Sequence, residues 1–356
     1  MDRITNRQVV LLGAMMESTI TLIHAHAQIA ESARQHAYLS YVPVILLLGM
    51  SVWLLSAVHR RFPGQDVFQI MSGRFPLVGR VIIVLYMIFT LFILGRDLRM
   101  LTDYVNVTLL PTTPMVIVAG CFAFTTVFMV KGGLRSLIGM VEIYMPVLIF
   151  VLLTMPVVLG RTMDLGLIKP FNHLNWQGIG EGSWNLFAYA GDMIMLPFVL
   201  SGNAYSRKAG WGGLALGTAL LVLLLMLTLM ELGIPITSRL LYPSYELSRQ
   251  LQLTDFLDRF DLIISAITSP VFITKVGFDL YVLCVALKRL LPGISGQVMA
   301  SPLGLMGFVC SFCCYKNVMQ LFHFSRTWTL FVLLFHVLLP LLLFLFLHPR
   351  HKAPAS

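Results

Sequence analysis

Long apolar runs alternate with short polar joints along the whole chain. Ten runs are long enough to cross a bilayer, at about 8–28, 40–58, 81–106, 114–130, 137–159, 183–200, 211–234, 262–287, 298–315 and 327–347. A helix needs about 20 predominantly apolar residues to cross the hydrocarbon. Backbone groups there must find partners within the chain, so continuous runs of this kind predict helices rather than strands. The joints leave no room for a soluble domain, and residues 1–356 read as a single transmembrane domain. An odd number of spans per half turns the second half over in the membrane. Ten spans thus predict a 5+5 inverted repeat, with repeat 1 at about 8–159 and repeat 2 at about 183–347. In that arrangement spans 1 and 6 correspond, and each is discontinuous near the midplane, exposing backbone groups to a ligand.

Span 6 carries the punctuation for such a break. Gly191 and Pro197 flank Asp192-Met193-Ile194-Met195-Leu196, and Gly202 follows. Proline removes a donor and clashes with the preceding turn, which bends a helix. Span 1 offers Gly13 and then Met16-Glu17-Ser18-Thr19, a polar stretch without further glycine.

Composition agrees with a membrane solvent. Hydrophobic residues make up 58% and charged residues 12%, against about 25% charged in soluble domains, and mean hydropathy is +0.84. The net charge of +9 therefore reads as topology, not nucleic-acid affinity. With both termini inside, inner joints collect Arg3, Arg7, Arg60, Arg61, Arg207, Lys208, Lys288, Arg289, Arg350 and Lys352, and Glu246, Asp255, Asp258 and Asp261 gather outside. A basic excess around short loops marks the cytoplasmic side. Span 1 lacks a following cleavage site and is expected to be retained. The cysteines, Cys121, Cys284, Cys310, Cys313 and Cys314, border or lie within apolar runs. They are expected to be small buried residues rather than a disulfide framework.

The candidate chemistry lies in charges at bilayer depth. Each costs roughly 2.5–3.5 kcal/mol on insertion scales, so such groups turn inward and find partners. Lys275 and Asp279 stand one helical turn apart in span 8. They either anchor the carboxylate and amine of a zwitterion or pair with each other. Glu17 in span 1 and Asp192 in span 6 are the other candidates; three acids and one lysine converging would favour a cationic ligand. Arg99 and Asp103, one turn apart toward the outer end of span 3 near Arg96 and Asp97, are expected to pair at the interface with their stems snorkelling. His24 and His26 point apart on a helix and do not suggest a metal site. Gly210, Gly212, Gly213 and Gly217 form a small-residue stripe suited to close helix approach. No phosphate-cradling loop, catalytic triad or zinc spacing is present, which argues against an enzyme.

Three stretches carry a resemblance: Leu109-Leu110-Pro111-Thr112-Thr113-Pro114; Lys131-Gly132-Gly133-Leu134 continuing to Glu142-Ile143 and Pro146; and Tyr242-Pro243 followed by Asp255-Phe256-Leu257-Asp258-Arg259-Phe260-Asp261. In this order and spacing they resemble the B subunits of bacterial spore germinant receptors, the endospore germination permease family of the amino acid–polyamine–organocation superfamily. The resemblance implies an all-α, leucine-transporter-like fold of ten transmembrane helices in the inner membrane of the spore. It implies a small-molecule germinant, often an amino acid, with a receptor A subunit and a C lipoprotein as partners, and neither a cofactor nor nucleic acid. Matched positions place Phe89 and Ile93 of span 3, and Lys275 and Asp279 of span 8, beside Glu17, Ser18, Gly191 and Asp192 in a ligand pocket. The chain departs from the family pattern in four places. Met16-Glu17-Ser18 replaces a glycine-rich break, a proline usual later in that span is replaced near Ile23-His24, Arg135 and Gly139 replace an acid–arginine pair, and charges occupy the span 8 pocket. A proton- or ion-coupled amino-acid or polyamine permease, and a non-binding structural subunit, remain as alternatives.

Overall fold

The computed structural model describes residues 4–169, 174–202, 204–250, 260–315 and 318–347. Asp255, Asp258 and Arg259 of the third motif, together with Arg3, Lys316, Arg350 and Lys352, lie outside them. Every regular element among the described residues is helical.

The chain opens with α1 (Asn6–Ala33), whose capping box is made by Thr5 and Gln8. A 3-10 stretch (Arg34–Ser40) turns it into α2 (Tyr41–Arg61). The short α3 (Val67–Arg74) is capped by the Asp66 side chain and leads to the long α4 (Pro76–Thr108). The Leu109–Pro114 motif then forms a compact turn, held by the Asn106 side-chain amide donating to the carbonyls of Leu110 (3.1 Å) and Thr113 (2.7 Å). In the second motif Gly133, at φ 77°, makes the corner between α5 (Met115–Lys131) and α6 (Leu134–Leu159), a backbone state only glycine adopts without strain.

The second half starts with α7 (Trp176–Phe187), which stops short of the next helix. Residues Ala188–Gly191 unwind, Gly191 takes φ 97°, and a 3-10 turn (Asp192–Met195) leads into α8 (Leu196–Val199). Then follow α9 (Arg207–Leu232), α10 (Ile234–Thr237), α11 (Pro243–Arg249), α12 (Phe260–Leu290), α13 (Ala300–Cys313) and α14 (Val318–Leu333). A π turn (Leu334–Leu338) joins α14 to α15 (Leu339–Phe346).

By length and composition six stretches can cross a membrane: Asn6–Arg61, which holds α1 and α2, Pro76–Thr108, Leu134–Leu159, Arg207–Leu232, Asp261–Leu290 and Thr327–Phe346. Met115–Lys131 and Ala300–Cys313 are shorter apolar helices. Two groupings hold the interior. In one, α1 packs mainly on α9 and α7; in the other, α4 packs on α12 and α13. The glycine stripe makes the first possible. A Cβ on Gly213 would stand 3.0 Å from the Cα of Gly13, and one on Gly217 would stand 2.9 Å from the Cβ of Glu17.

Three expectations need correction. Helix α1 is continuous through Met16-Glu17-Ser18, whereas the expected break at Gly191, between α7 and α8, is present. No glycine or proline interrupts the ladder there. The hydroxyls of Ser18, Thr19 and Thr21 bond back to the carbonyls of Ala14, Met15 and Glu17, a pattern compatible with an intact helix. Arg99 and Asp103 do pair, at 3.0 Å, but the pair is buried. The Arg99 guanidinium lies over the Phe312 ring rather than snorkelling outward. Of the cysteines only Cys284 is buried; Cys121, Cys313 and Cys314 sit on exposed surface.

Candidate functional site

The unwound stretch between α7 and α8, together with α4 and α12, brings five charged side chains together. The ammonium of Lys275 donates to the carboxylates of Asp97, of Asp192 at 2.6 Å and of Asp279 at 3.0 Å. From the other side Arg96 donates through Nε to Asp97 at 2.6 Å and through Nη2 to Asp192 at 3.1 Å. Its Nη1 donates to the carbonyl of Ala188 at 2.8 Å, where α7 has just ended. A guanidinium there satisfies a carbonyl that the interrupted helix leaves open and complements its negative end. All five side chains are buried. Three carboxylates face two cations, and one oxygen, Oδ1 of Asp279, has no hydrogen-bond partner among the described residues.

Glu17 reaches the same place from α1. Its Oε2 accepts the backbone N–H of Gly191 at 2.9 Å. The left-handed backbone at Gly191 also makes room for its neighbours: a Cβ there would come within 2.7 Å of Leu48 and 2.9 Å of Nδ1 of His336. His336 lies in the π turn, is buried, and has no hydrogen bond on either ring nitrogen among the described residues. At the far end of the break, His59 Nε2 meets the carbonyl of Pro197 at 3.0 Å.

Aromatic layers lie on both sides of the charges along α4. Toward its Pro76 end, Tyr86 stacks on Phe198 at 4.4 Å, and Phe68 meets both rings. Toward its Thr108 end, Tyr104 meets Tyr242, Tyr245 and Phe272 edge-on at 5.3, 6.1 and 6.2 Å. A void of about 30 Å³ and an open cleft of about 590 Å³ both border this second layer, and no residue of the charge cluster lines either. The charged side chains at the centre are closed off from the surface.

Of the sequence candidates, Glu17, Gly191, Asp192, Lys275 and Asp279 meet in this one place. Ile93 is buried one turn before Asp97 on α4. Phe89 turns to α14 and the π turn, stacking on Phe335 at 4.3 Å and on Trp328 at 5.4 Å. The Ser18 hydroxyl bonds to Ala14 within its own helix. Arg96 and Asp97, expected beside the outer pair Arg99 and Asp103, belong to this cluster, and His336 is a member that its own sequence surroundings do not mark. The spacing Phe89, Ile93, Asp97 held the clue, because residues four apart share a helix face.

Among the described residues no group of three or more His, Cys, Asp and Glu side chains could hold a metal ion. The cluster's chemistry is ionic: it holds an ammonium among carboxylates beside a backbone break.

Fold and site together define a multi-pass helical membrane protein with a leucine-transporter-like architecture. The fold is similar to that of a manganese transporter from Eremococcus coleocola, solved with an aromatic bis-isothiourea compound. That match has TM-score 0.61 and 13% identity, covering 95% of this chain and 78% of the other. It is also similar to Mhp1, a nucleobase-cation-symport-1 family transporter in a closed conformation with bromovinylhydantoin bound, with TM-score 0.52 and 13% identity, covering 91% of this chain and 74% of that one. Residues 3–319 match the family model for spore germination proteins, and the chain belongs to that family. It is 29% identical over 353 residues to YfkT of Bacillus subtilis (strain 168), whose name provisionally places it in spore germination; the alignment spans 98% of each chain. Family and fold relatives are germination or transport proteins, not enzymes.

Proposed function

We propose that this protein is the germinant-sensing membrane subunit of a spore germination receptor, and that it binds a small amino acid or amine where the sixth span is broken. The supporting observation is the Gly191 break. It ties α1 through Glu17, and α4 and α12 through Asp192, to one unwound stretch of backbone. Residues Glu17, Ser18, Phe89, Ile93, Gly191, Asp192, Lys275 and Asp279 form the proposed ligand region, joined by Arg96 and Asp97. Ligand binding shifts the population between this closed arrangement and an open one, by as much as the ligand's affinities for the two differ. A receptor A subunit and a C lipoprotein read that change. In the same proposal the helices form ten crossings as a 5+5 repeat within a single domain, with both termini cytoplasmic.

Germination of spores lacking this gene, scored against a panel of amino acids, sugars and amines, tests the reading. Loss of response to one germinant, restored by the wild-type gene but not by Asp192→Asn, is the expected result. Uptake of solute by reconstituted vesicles would point instead to a coupled permease. Intact receptor assembly with no ligand bound by the purified protein would point to a structural subunit.

A further inference from the structure

An ammonium group has three hydrogens to donate. Lys275 places all three on carboxylates from three separate elements: Asp97 on α4, Asp192 in the turn after the break, and Asp279 on its own α12. Two of these carboxylates do not depend on the lysine for their position, because Arg96 grips Asp97 and Asp192 independently. The third, Asp279, still has an oxygen without a partner. Removal of the lysine charge would leave three carboxylates with Arg96, which bonds two of them, as the remaining cation of the cluster, while Glu17 and His336 border Gly191 and Phe89 stands edge-on to the His336 ring. Such a set of oxygens suits a small cation that can donate hydrogen bonds.

We propose that Asp97, Asp192 and Asp279 form a binding site for a primary ammonium group, and that Lys275 is its tethered occupant. The chain carries its own cation on a four-carbon stem. An external amine reaches the carboxylates only when the lysine has withdrawn along α12. The existence of the site stands on the geometry alone; the consequence that a ligand amine competes with Lys275 rests on the sensing role proposed above.

Truncation of Lys275 to alanine removes three carbons and the ammonium, a gap that propylammonium fills. The test is titration calorimetry on the full-length protein in detergent, with propylammonium chloride as the probe. Tetramethylammonium chloride supplies charge without N–H donors, and propanol supplies the chain without charge. Lys275→Ala should bind propylammonium at least about tenfold more tightly than the wild type, because the occupied site is open in only a small fraction of wild-type molecules. It should bind neither control, and adding Asp279→Asn should weaken propylammonium. Lys275→Met, which keeps the stem volume without the charge, should not bind it. Equal affinity of Lys275→Ala and wild type, or equal binding of propylammonium and tetramethylammonium, overturns the proposal. If Lys275→Ala is unstable, recovery of monodisperse protein is the readout. Recovery that rises with propylammonium and not with tetramethylammonium supports the site, and equal recovery in both overturns it. A germination defect in Lys275→Ala spores without propylammonium binding sinks the ammonium site and leaves the sensing role standing. Binding with unchanged germination supports the site and removes the sensing role.

Discussion

Glu17 and Gly191 lie 174 positions apart and are joined by one hydrogen bond, the carboxylate Oε2 accepting the backbone N–H at 2.9 Å. The bond links the unbroken α1 to the unwound segment between α7 and α8. A break in a buried helix leaves amides and carbonyls without partners, and each needs one from elsewhere. Glu17 serves the amide, while Arg96 and His59 meet carbonyls on either side. The break is thus built from long-range side chains.

Glu17→Ala should therefore leave the Gly191 amide buried and unpaired. The cost expected is about 1–3 kcal/mol, the desolvation penalty of an unsatisfied group. Glu17→Gln keeps an acceptor oxygen and should lose less. Unfolding midpoints in detergent, followed by tryptophan fluorescence, separate the two; equal losses would mean that the carboxylate charge, not its acceptor, matters here.

Gly191 itself should tolerate no side chain. Alanine would need the left-handed backbone, at roughly 1–3 kcal/mol, and its Cβ would collide with Leu48 and His336. Gly191→Asn suits that backbone better, yet brings the same Cβ. Both variants should lose the germinant response in spores while still accumulating in the membrane at reduced level. A normal response from Gly191→Asn would mean the left-handed turn alone is required and the close packing is not.

The readable parts of this site were those where local chemistry contradicts its surroundings. Lys275 and Asp279 stand out as charges in an apolar run, and Gly191 with Pro197 marks a break by backbone chemistry alone. Asp97 was misplaced because Arg96, Arg99 and Asp103 crowd around it and resemble a helix end at the lipid interface. In fact α4 continues to Thr108 and carries all four charges inside the protein. Nothing local distinguishes His336 from a histidine packed among leucines; only the fold brings it to Gly191. The expected break in α1 rests on the 5+5 arrangement inferred from the span count, not on its residues, and the run without glycine or proline at Met16-Glu17-Ser18 is helical.

Within the charge cluster the three aspartates should not be equivalent. Asp192 accepts from both Lys275 and Arg96, and Asp97 does the same, whereas among the described residues Asp279 accepts only from Lys275. Removing one partner of a buried ion pair costs about 3–5 kcal/mol, since a charge is left uncompensated. Three carboxylates already outnumber two cations, so neutralising the least engaged one should be the mildest change. The expected order of destabilisation is Asp279→Asn smallest, with Asp97→Asn and Asp192→Asn larger. Lys275→Met with Asp279→Asn should cost less than the sum of the single changes, as interacting neighbours do. Thermal unfolding of the five variants, Lys275→Met alone among them, checks the order, and an Asp279→Asn loss as large as that of Asp192→Asn would contradict it.

The glycine stripe gives a paired prediction of opposite sign. Gly217→Ala would put a Cβ 2.9 Å from the Cβ of Glu17 and 3.1 Å from the carbonyl oxygen of Ala14, so α1 and α9 must separate. Overpacking of this kind costs typically about 1–3 kcal/mol, and the displaced Glu17 should also weaken its bond to Gly191. Gly180, on the exposed side of α7, has nothing within 4 Å of such a Cβ. Alanine there should be neutral or stabilise by up to about 1 kcal/mol through helix propensity. Germination response should follow the same division, being impaired in Gly217→Ala spores and normal in Gly180→Ala spores. If Gly217→Ala lowered stability but left the response intact, the close approach of α1 and α9 would serve packing alone, and the position of Glu17 would not govern the break.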